Sequence, residues 1–216
     1  MMVLKTPQER WDPRWAALIV VDVQNDFASP KGAAAERGED VSESIAMVPR
    51  LVRLIDEARR VGLTIIYVQT FHGEWTDTPS WIYRESQKKK LNSCREGTWG
   101  AEFYDGIKPL ASERIVVKHR YSAFINTDMN TVLRAKGIES VLVTGIATNV
   151  CVETTARDAY MFDYYVTTVG DCAAAYDQKS HEGTLENMRR HFGLVADSNE
   201  IIKTWEGLGQ KKAAGI

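Results

Sequence analysis

The stretch VLVTGIATNVCVETTARD, residues 141–158, reads as a short apolar strand, a tight polar turn and the start of a helix. Cys151 stands where that helix is expected to begin. Backbone N–H groups converge at such a position and the helix dipole favours an anion there, so a thiolate is stabilised. The pattern therefore indicates a candidate nucleophile at a strand-to-helix turn.

The alternation of strand and helix recurs on both sides of this stretch. Apolar runs predict strands at residues 16–23, 63–68, 115–117, 141–144, 164–169 and 194–196, and helical spacing predicts helices at 49–61, 127–136, 151–162 and 178–191. Such alternation indicates an α/β fold, a three-layer α/β/α sandwich with a mostly parallel sheet of about six strands. Ligands of such sheets bind beyond the carboxyl ends of the strands.

Length and composition limit the function classes. The 216 residues predict a single domain spanning 1–216, in which the irregular segment 71–106 is a lid or insertion. A net charge of -2 gives no basic face for nucleic acid. No apolar stretch approaches the ~20 residues that cross a bilayer, and no signal-peptide core is evident, so we expect a cytoplasmic protein without a membrane partner.

The three cysteines are Cys94, Cys151 and Cys172. They form neither an even framework nor a CxxC pair, so neither disulfides nor a structural zinc site is expected. At least one thiol is therefore free to react.

An acid and an amine end two other predicted strands. Asp22 lies at the C-terminal end of the first predicted strand and Lys118 comes directly after the third, so both map to the same sheet edge as Cys151. Asp22 can act as general base and acid, Lys118 can lower the thiol pKa from its free value of ~8.5, and N–H groups of the turn 145–150 can hold an oxyanion. Each residue alone also fits a structural role, as a buried thiol, a helix cap or a snorkelling lysine. The joint pattern favours acyl transfer.

Three motifs carry a resemblance to a known family. They are ALIVVDVQNDF (17–27), VVKHRYSAF (116–124) and VTGIATNVCVETTARDA (143–159). In this order, and over nearly the whole chain, the sequence resembles the isochorismatase-like cysteine hydrolases.

The resemblance implies roles for individual residues. Asp22 would be the acid/base, Lys118 its charge partner and Cys151 the nucleophile. A cis peptide between Ile146 and Ala147 would turn the N–H groups of Ala147 and Cys151 toward the oxyanion.

Within the family, the sequence is most similar to the biuret hydrolase and ureidoacrylate amidohydrolase branch, in GTWGAEFYDGIKP (97–109), HRYSAFINT and GIATNVCVE. That branch hydrolyses small ureido or carbamoyl compounds without a cofactor. The resemblance therefore implies a small-molecule ureide substrate, ammonia release, no cofactor and a homo-oligomer, a dimer or a tetramer. It also implies that the pocket is lined by Phe27, Trp99, Tyr121, Asn149 and Gln178.

Other activities remain open on the sequence alone. Nicotinamidases resemble this chain in the turn but carry an Asp and two His as metal ligands after the second strand, where this chain has QTFHGEWTD, with Gln69 in place of the acid and His72 alone. We therefore expect no metal. Triuret, an N-carbamoyl amino acid or nicotinamide is an alternative substrate, and a thiol sensor or interaction protein is an alternative class. A dinucleotide-binding oxidoreductase would need a GxGxxG turn after the first strand, which DVQNDFASPKG lacks.

Overall fold

A computed structural model of the chain describes residues 3–89 and 92–213. One six-stranded sheet forms its centre, with the strand order β3-β2-β1-β4-β5-β6 and every pair of neighbours parallel. The strands are β1 (Ala16–Val21), β2 (Thr64–Thr70), β3 (Arg114–Lys118), β4 (Ser140–Ile146), β5 (Tyr165–Ala174) and β6 (Gly193–Ala196). The predicted parallel α/β sheet is confirmed.

Helices cover both faces of the sheet. They are α1 (Pro7–Arg10), α2 (Asn25–Ala28), α3 (Ala33–Glu36), α4 (Ser42–Val61), α5 (Pro79–Gln87), α6 (Met129–Ala135), α7 (Glu153–Met161), α8 (Gln178–His191) and α9 (Ser198–Ala213), with a 3₁₀ turn at Trp99–Ala101 and a π-helical turn at Thr148–Val152. The core on one face takes its helical side chains from α2, α4 and α9, and that on the other from α6, α7 and α8. No described helix has the length and apolar character needed to span a membrane.

The two central strands explain why the sheet is covered on both sides. All residues of β1 and β4 are buried, as expected for near-continuous apolar runs in a parallel sheet. Their register pairs Val21 with Gly145, and the outer pair β2 and β3 matches Thr70 with Lys118. The carboxyl ends of these four strands therefore lie side by side.

Gly145 is required at this edge. Its φ is +113°, and a Cβ atom there would lie 1.9 Å from the carbonyl oxygen of Val21. Only glycine combines that backbone conformation with so close an approach. The turn after β4 is thereby brought against the end of β1, where the candidate acid follows.

The observed boundaries differ most from the predicted ones at the start of α4 and at the end of β5, which runs on to Ala174. Helix α4 begins at Ser42, seven residues before the predicted start, while Gly62 ends it in the left-handed conformation as expected. Helix α9 was not predicted. It is anchored by Trp205, which is buried and donates its indole N–H to the carbonyl of Trp11 at 2.7 Å.

The segment 71–106 contains more regular structure than its composition suggests. It includes α5 and the 3₁₀ turn, and it is fastened by single bridges between His72 and Arg95 and between Gln24 and Phe103. Lys90 and Leu91 lie outside the described residues. For the rest of the segment, the role of a lid or insertion stays a prediction.

Candidate active site

The structure brings the acid, the amine and the thiol together at the carboxyl edge of the sheet. Lys118 Nζ lies 2.7 Å from Asp22 Oδ2 and 3.4 Å from Cys151 Sγ. All three side chains are buried, with exposures of 0% for Asp22, 1% for Lys118 and 8% for Cys151. The ammonium therefore bridges the carboxylate and the sulfur.

Lys118 Nζ has three close partners. Besides Asp22 and Cys151, Nζ donates to the carbonyl of Arg120 at 2.9 Å. Burial alone would lower the pKa of Lys118, but the nearby Asp22 carboxylate and Cys151 outweigh it and hold the pKa above its usual value. The side chain is therefore a fixed positive charge at neutral pH.

Asp22 is placed by an uncommon backbone conformation. Its φ is +52°, in the left-handed region that aspartate tolerates better than most residues, and its N–H donates to the carbonyl of Val68. Thr70 Oγ1 donates to Oδ1 at 2.9 Å. The other oxygen, Oδ2, faces Lys118 Nζ.

A buried glutamine joins the ends of β1 and β2. Gln24 donates from Nε2 to the carbonyls of Thr70 (2.9 Å) and Ala101 (2.7 Å), and its Oε1 accepts from the Thr70 N–H at 2.8 Å. This network fixes Thr70, which in turn orients the carboxylate of Asp22. Its role is not evident from the sequence, because a glutamine after a strand is also a common surface residue.

The thiol differs from the expectation of a lowered pKa. Burial raises the pKa of Cys151 to about 12, Lys118 opposes that shift and the Asp22 carboxylate adds to it. The desolvation penalty on an anion at this depth exceeds the stabilisation by one ammonium that is shared with a carboxylate. Cys151 therefore rests as a thiol beside a base.

The turn after β4 has a special backbone. The peptide bond between Ile146 and Ala147 is cis, and the π-helical turn Thr148–Val152 follows it. The carbonyl of Ala147 accepts from the N–H groups of Val150 and Val152, so it points into this turn. Thr148, which is buried, is hydrogen-bonded through Oγ1 to His181 Nδ1 of α8 at 2.9 Å.

A cavity of about 290 Å³ opens over the sulfur. Its lining includes Lys118, Ala147 and Cys151 at the base, and its remaining walls are Phe27, Arg37, Glu39, Thr70, His72, Trp81, Glu85, Ser93, Arg120, Tyr121, Ile146, Asn149, Val150, Tyr176 and Asp177. Because Cys151 faces this space, a small ligand can reach a sulfur that is otherwise enclosed.

The cavity contains three of the five residues expected in the pocket, Phe27, Tyr121 and Asn149. The structure does not bring Trp99 and Gln178 into it. Trp99 lies in the 3₁₀ turn with a half-exposed ring, and its carbonyl accepts from Asn25. Gln178 begins α8 on the surface and donates to Glu182, one turn further along that helix.

Several lining residues were not found from the sequence. Trp81 and Glu85 come from α5, inside the irregular segment, and Arg37 is the C-cap residue of the short helix α3. Arg120 belongs to the quoted motif VVKHRYSAF, so its position two residues after Lys118 was a usable signal. It stacks on Trp81, with its guanidinium carbon 4.7 Å from the ring centroid.

His72, the one histidine of QTFHGEWTD, lies in the cavity wall. Burial lowers its pKa to about 4, and the Asp77 carboxylate, 3.5 Å from Nδ1, opposes that shift. Its ring packs on Trp81 with 5.1 Å between the centroids. His72 is therefore a neutral ring at pH 7 that faces the ligand space.

The motifs, the fold and the site agree with one family. A family model described as the isochorismatase domain matches residues 16–200. The chain belongs to the isochorismatase family. It is 32% identical over 212 residues to a ureidoacrylate amidohydrolase of Caulobacter vibrioides, with 90% of this chain and 92% of that protein covered.

Solved structures of isochorismatase-family hydrolases share this architecture. A cysteine hydrolase from Pseudomonas syringae pv. phaseolicola superposes with a TM-score of 0.80 at 29% identity, over 90% of this chain and 94% of that one. An N-carbamoylsarcosine amidase from Thermoplasma acidophilum gives a TM-score of 0.70 at 28% identity, over 85% and 96%.

Proposed function

We propose that this protein is a cysteine-dependent amidohydrolase that cleaves a C–N bond of a small ureido or carbamoyl compound and releases ammonia. Its similarity to amidohydrolases and cysteine hydrolases indicates a hydrolase of C–N amide bonds other than peptide bonds. The observation that carries the finer proposal is the Lys118 ammonium held between a carboxylate and a thiol at the base of a small cavity.

The first half of the reaction forms an S-acyl enzyme. Asp22 takes the proton of Cys151 as the sulfur attacks the carbonyl carbon, and the carbonyl oxygen becomes an oxyanion. The N–H groups of Ala147 and Cys151 stabilise it, because N–H groups at a helix start lack intrahelical partners. The C–N bond then breaks, and the nitrogen leaves as ammonia with the proton from Asp22.

The second half regenerates the thiol. Asp22, again a carboxylate, removes a proton from water as its oxygen attacks the S-acyl carbon. The C–S bond breaks, the carbamic acid product leaves, and the proton returns to sulfur. Lys118 stays protonated throughout and stabilises each anion that forms on Asp22 or Cys151.

The thiol's high pKa supports this order of events. With a pKa of about 12, Cys151 is protonated at neutral pH. A mechanism that starts from a resting thiolate would therefore find very little of the enzyme in the thiolate form. A carboxylate beside the ammonium that contacts the sulfur supplies the missing base. The proposal is therefore general-base activation at the moment of attack.

The test is ammonia release by the wild-type protein over a panel of biuret, triuret, ureidoacrylate, an N-carbamoyl amino acid and nicotinamide. We expect turnover of ureides, and its loss in Cys151→Ala and Cys151→Ser. Cys172→Ala is the matched control, because that thiol is also buried but belongs to the core on the opposite face of the sheet. Full turnover by Cys151→Ala would refute the mechanism, and nicotinamide as the preferred compound would refute the substrate class.

A further inference from the structure

Arg37 is a cation of the cavity wall whose hydrogen-bonding capacity is only partly used by the described residues. Its Nη1 donates to Ser93 Oγ at 2.9 Å. Its Nε is buried, yet it has no hydrogen-bond partner, and no described carboxylate forms an ion pair with the side chain. A buried N–H of a charged group without an acceptor is costly, so native sites normally provide one.

The other two cations of the wall are already satisfied. Lys118 forms an ion pair with Asp22 and donates to Cys151 Sγ and to the carbonyl of Arg120. Arg120 donates to the carbonyls of His119 and Thr76 and to Thr78 Oγ1, and it stacks on Trp81. Arg37 is therefore the cation in this described lining that still needs an acceptor.

The position of Arg37 is fixed by buried hydrogen bonds of its surroundings. The buried carboxylate of Asp26 accepts from the Ala33 N–H, at the start of α3, and from the Cys94 N–H, next to Ser93. The Asp26 carboxylate thus fixes both α3, which Arg37 caps, and the neighbour of Ser93, whose hydroxyl accepts from Arg37 Nη1. Gly100 packs so closely that a Cβ there would lie 2.2 Å from the Asp26 carboxylate.

Arg37 and Cys151 lie on the same ligand space. Tyr176 and Phe27 line it as well, and the Tyr176 hydroxyl lies 3.3 Å from the carbonyl of Phe27. Burial raises the pKa of Tyr176, the Arg37 charge lowers it and Cys151 raises it, so this hydroxyl is within electrostatic reach of both. A small molecule bound at the sulfur can therefore extend along Tyr176 to Arg37.

We propose that Arg37 is the subsite for a substrate carboxylate, and that the substrate is accordingly a ureido acid rather than a neutral ureide such as biuret. A guanidinium presents parallel N–H donors that match a carboxylate, and a carboxylate supplies the acceptor that Nε lacks. This inference rests on the proposed function, because the ureido carbonyl is taken to lie at Cys151.

The carboxylates of the wall are compatible with this assignment. Glu85 is buried and accepts from the Tyr121 hydroxyl at 3.2 Å, so it is an acceptor for the N–H groups of a ureido end. Glu39, two residues beyond Arg37, makes no ion pair with it. The wall thus offers acceptors for the N–H donors of a ligand. Among its described residues, Arg37 is the cation that can still accept an anionic partner.

The decisive comparison uses 3-ureidoacrylate and its methyl ester, in which one methyl group replaces the negative charge. The wild-type protein is expected to prefer the acid by tenfold or more in kcat/KM for ammonia release. Arg37→Gln is expected to lower kcat/KM for the acid by about 10- to 100-fold, the range for a hydrogen bond to a charged group, and to bring the acid-to-ester ratio toward one. Arg37→Lys keeps the charge but lacks the paired N–H donors of the guanidinium, so its kcat/KM for the acid is expected to lie between those of the wild type and Arg37→Gln.

Arg53→Gln is the control for the loss of one positive charge, since Arg53 is an exposed residue of α4 that contacts Asn199. Arg53→Gln should keep the wild-type ratio of kcat/KM for the acid to kcat/KM for the ester. An equal loss on acid and ester in Arg37→Gln would mean a structural role and overturn the proposal, as would a wild-type ratio near one.

A binding measurement separates this proposal from the proposed function. Calorimetric titration of Cys151→Ala with the same two compounds needs no turnover, and the acid should bind at least tenfold more tightly while Arg37 is present. If the wild type releases no ammonia from any ureide, the proposed function fails and the binding preference still decides the role of Arg37. Equal binding of acid and ester, or binding of neither, overturns the subsite.

Discussion

The cavity has a floor and a rim that are built differently. The floor consists of Asp22, Lys118, Cys151 and the turn 146–152, and its three ionisable side chains are nearly or fully buried. The rim consists of Arg37, Trp81, Arg120 and Tyr121, which are partly exposed. Floor residues follow strands or end them, so sheet register fixes them. Of the rim residues, Arg120 and Tyr121 come soon after β3, whereas Trp81 lies in α5 and Arg37 caps α3, two short helices that the sheet register does not align. The floor is therefore fixed by the sheet, while half of the rim depends on the placement of two short helices.

The largest effect is expected from removing the base of the floor. Asp22→Asn should lower turnover by about 10²- to 10⁴-fold, the range for general acid–base catalysis. Asparagine tolerates the left-handed backbone at this position, so the change tests the charge. Because Asp22 raises the pKa of Cys151, the same variant should be alkylated faster by iodoacetamide at pH 8.

Mass spectrometry of the alkylated protein assigns the modified thiol, with the buried Cys94 and Cys172 as internal references. In the wild type the rate at Cys151 should keep rising from pH 7 to pH 10 without the plateau of a free thiol near pH ~8.5. Turnover that rises together with alkylation in Asp22→Asn would indicate a resting-thiolate mechanism and contradict the role given to the floor.

The next largest effect is expected on stability, from breaking the buried ion pair between Asp22 and Lys118. Lys118→Met leaves the Asp22 carboxylate buried without its cation, which is expected to lower the free energy of unfolding by about 3–5 kcal/mol. The double variant Asp22→Asn/Lys118→Met should be more stable than the sum of the single changes predicts, because neither charge is then stranded.

Urea unfolding at pH 7 measures all three variants. Lys203→Met, an exposed lysine of α9, is the control and should stay within about 0.5 kcal/mol of wild type. Strict additivity in the double variant would show that the two charges do not stabilise each other.

A smaller effect is expected where α8 supports the floor. Thr148→Val keeps the shape of the side chain and removes the hydrogen bond to His181, which should lower the free energy of unfolding by about 1 kcal/mol and lower kcat through the displaced turn. Thr168→Val is the matched control, because Thr168 is equally buried on β5 but its hydroxyl has no hydrogen-bond partner among the described residues. Equal losses in both variants would show that the His181 contact does not support the turn.

The contrast between floor and rim also explains what the sequence could predict. Asp22, Lys118 and Cys151 were predicted to share one edge because parallel strands end together, and their distances confirm that placement. The protonation state of the thiol was not predictable in this way. It depends on the balance of burial against neighbouring charges, which requires coordinates.

Two rim residues, Arg37 and Trp81, were not predicted because they come from segments without a strong hydrophobic period. Helix α5 lies in a stretch of mixed polar and aromatic residues, and α3 has only four residues, so neither gives a clear hydrophobic pattern. Helix α9 was missed for a different reason, since its buried Trp205 and Ile201 stand among polar residues and two glycines. Motif similarity placed Trp99 and Gln178 in the pocket, but the fold turns them away from it.

The smallest expected effect concerns those two residues. Trp99→Ala and Gln178→Ala should change KM for the preferred ureide by less than about twofold, because neither side chain lines the cavity. Phe27→Ala, which removes a ring from the wall, should raise KM by about tenfold or more, as expected for a lost buried aromatic contact. Steady-state kinetics with thermal melts as a folding control distinguishes the three. A large KM effect of Trp99→Ala in a folded protein would mean that the 3₁₀ turn reaches the ligand in the working enzyme, and the rim would then have to include it.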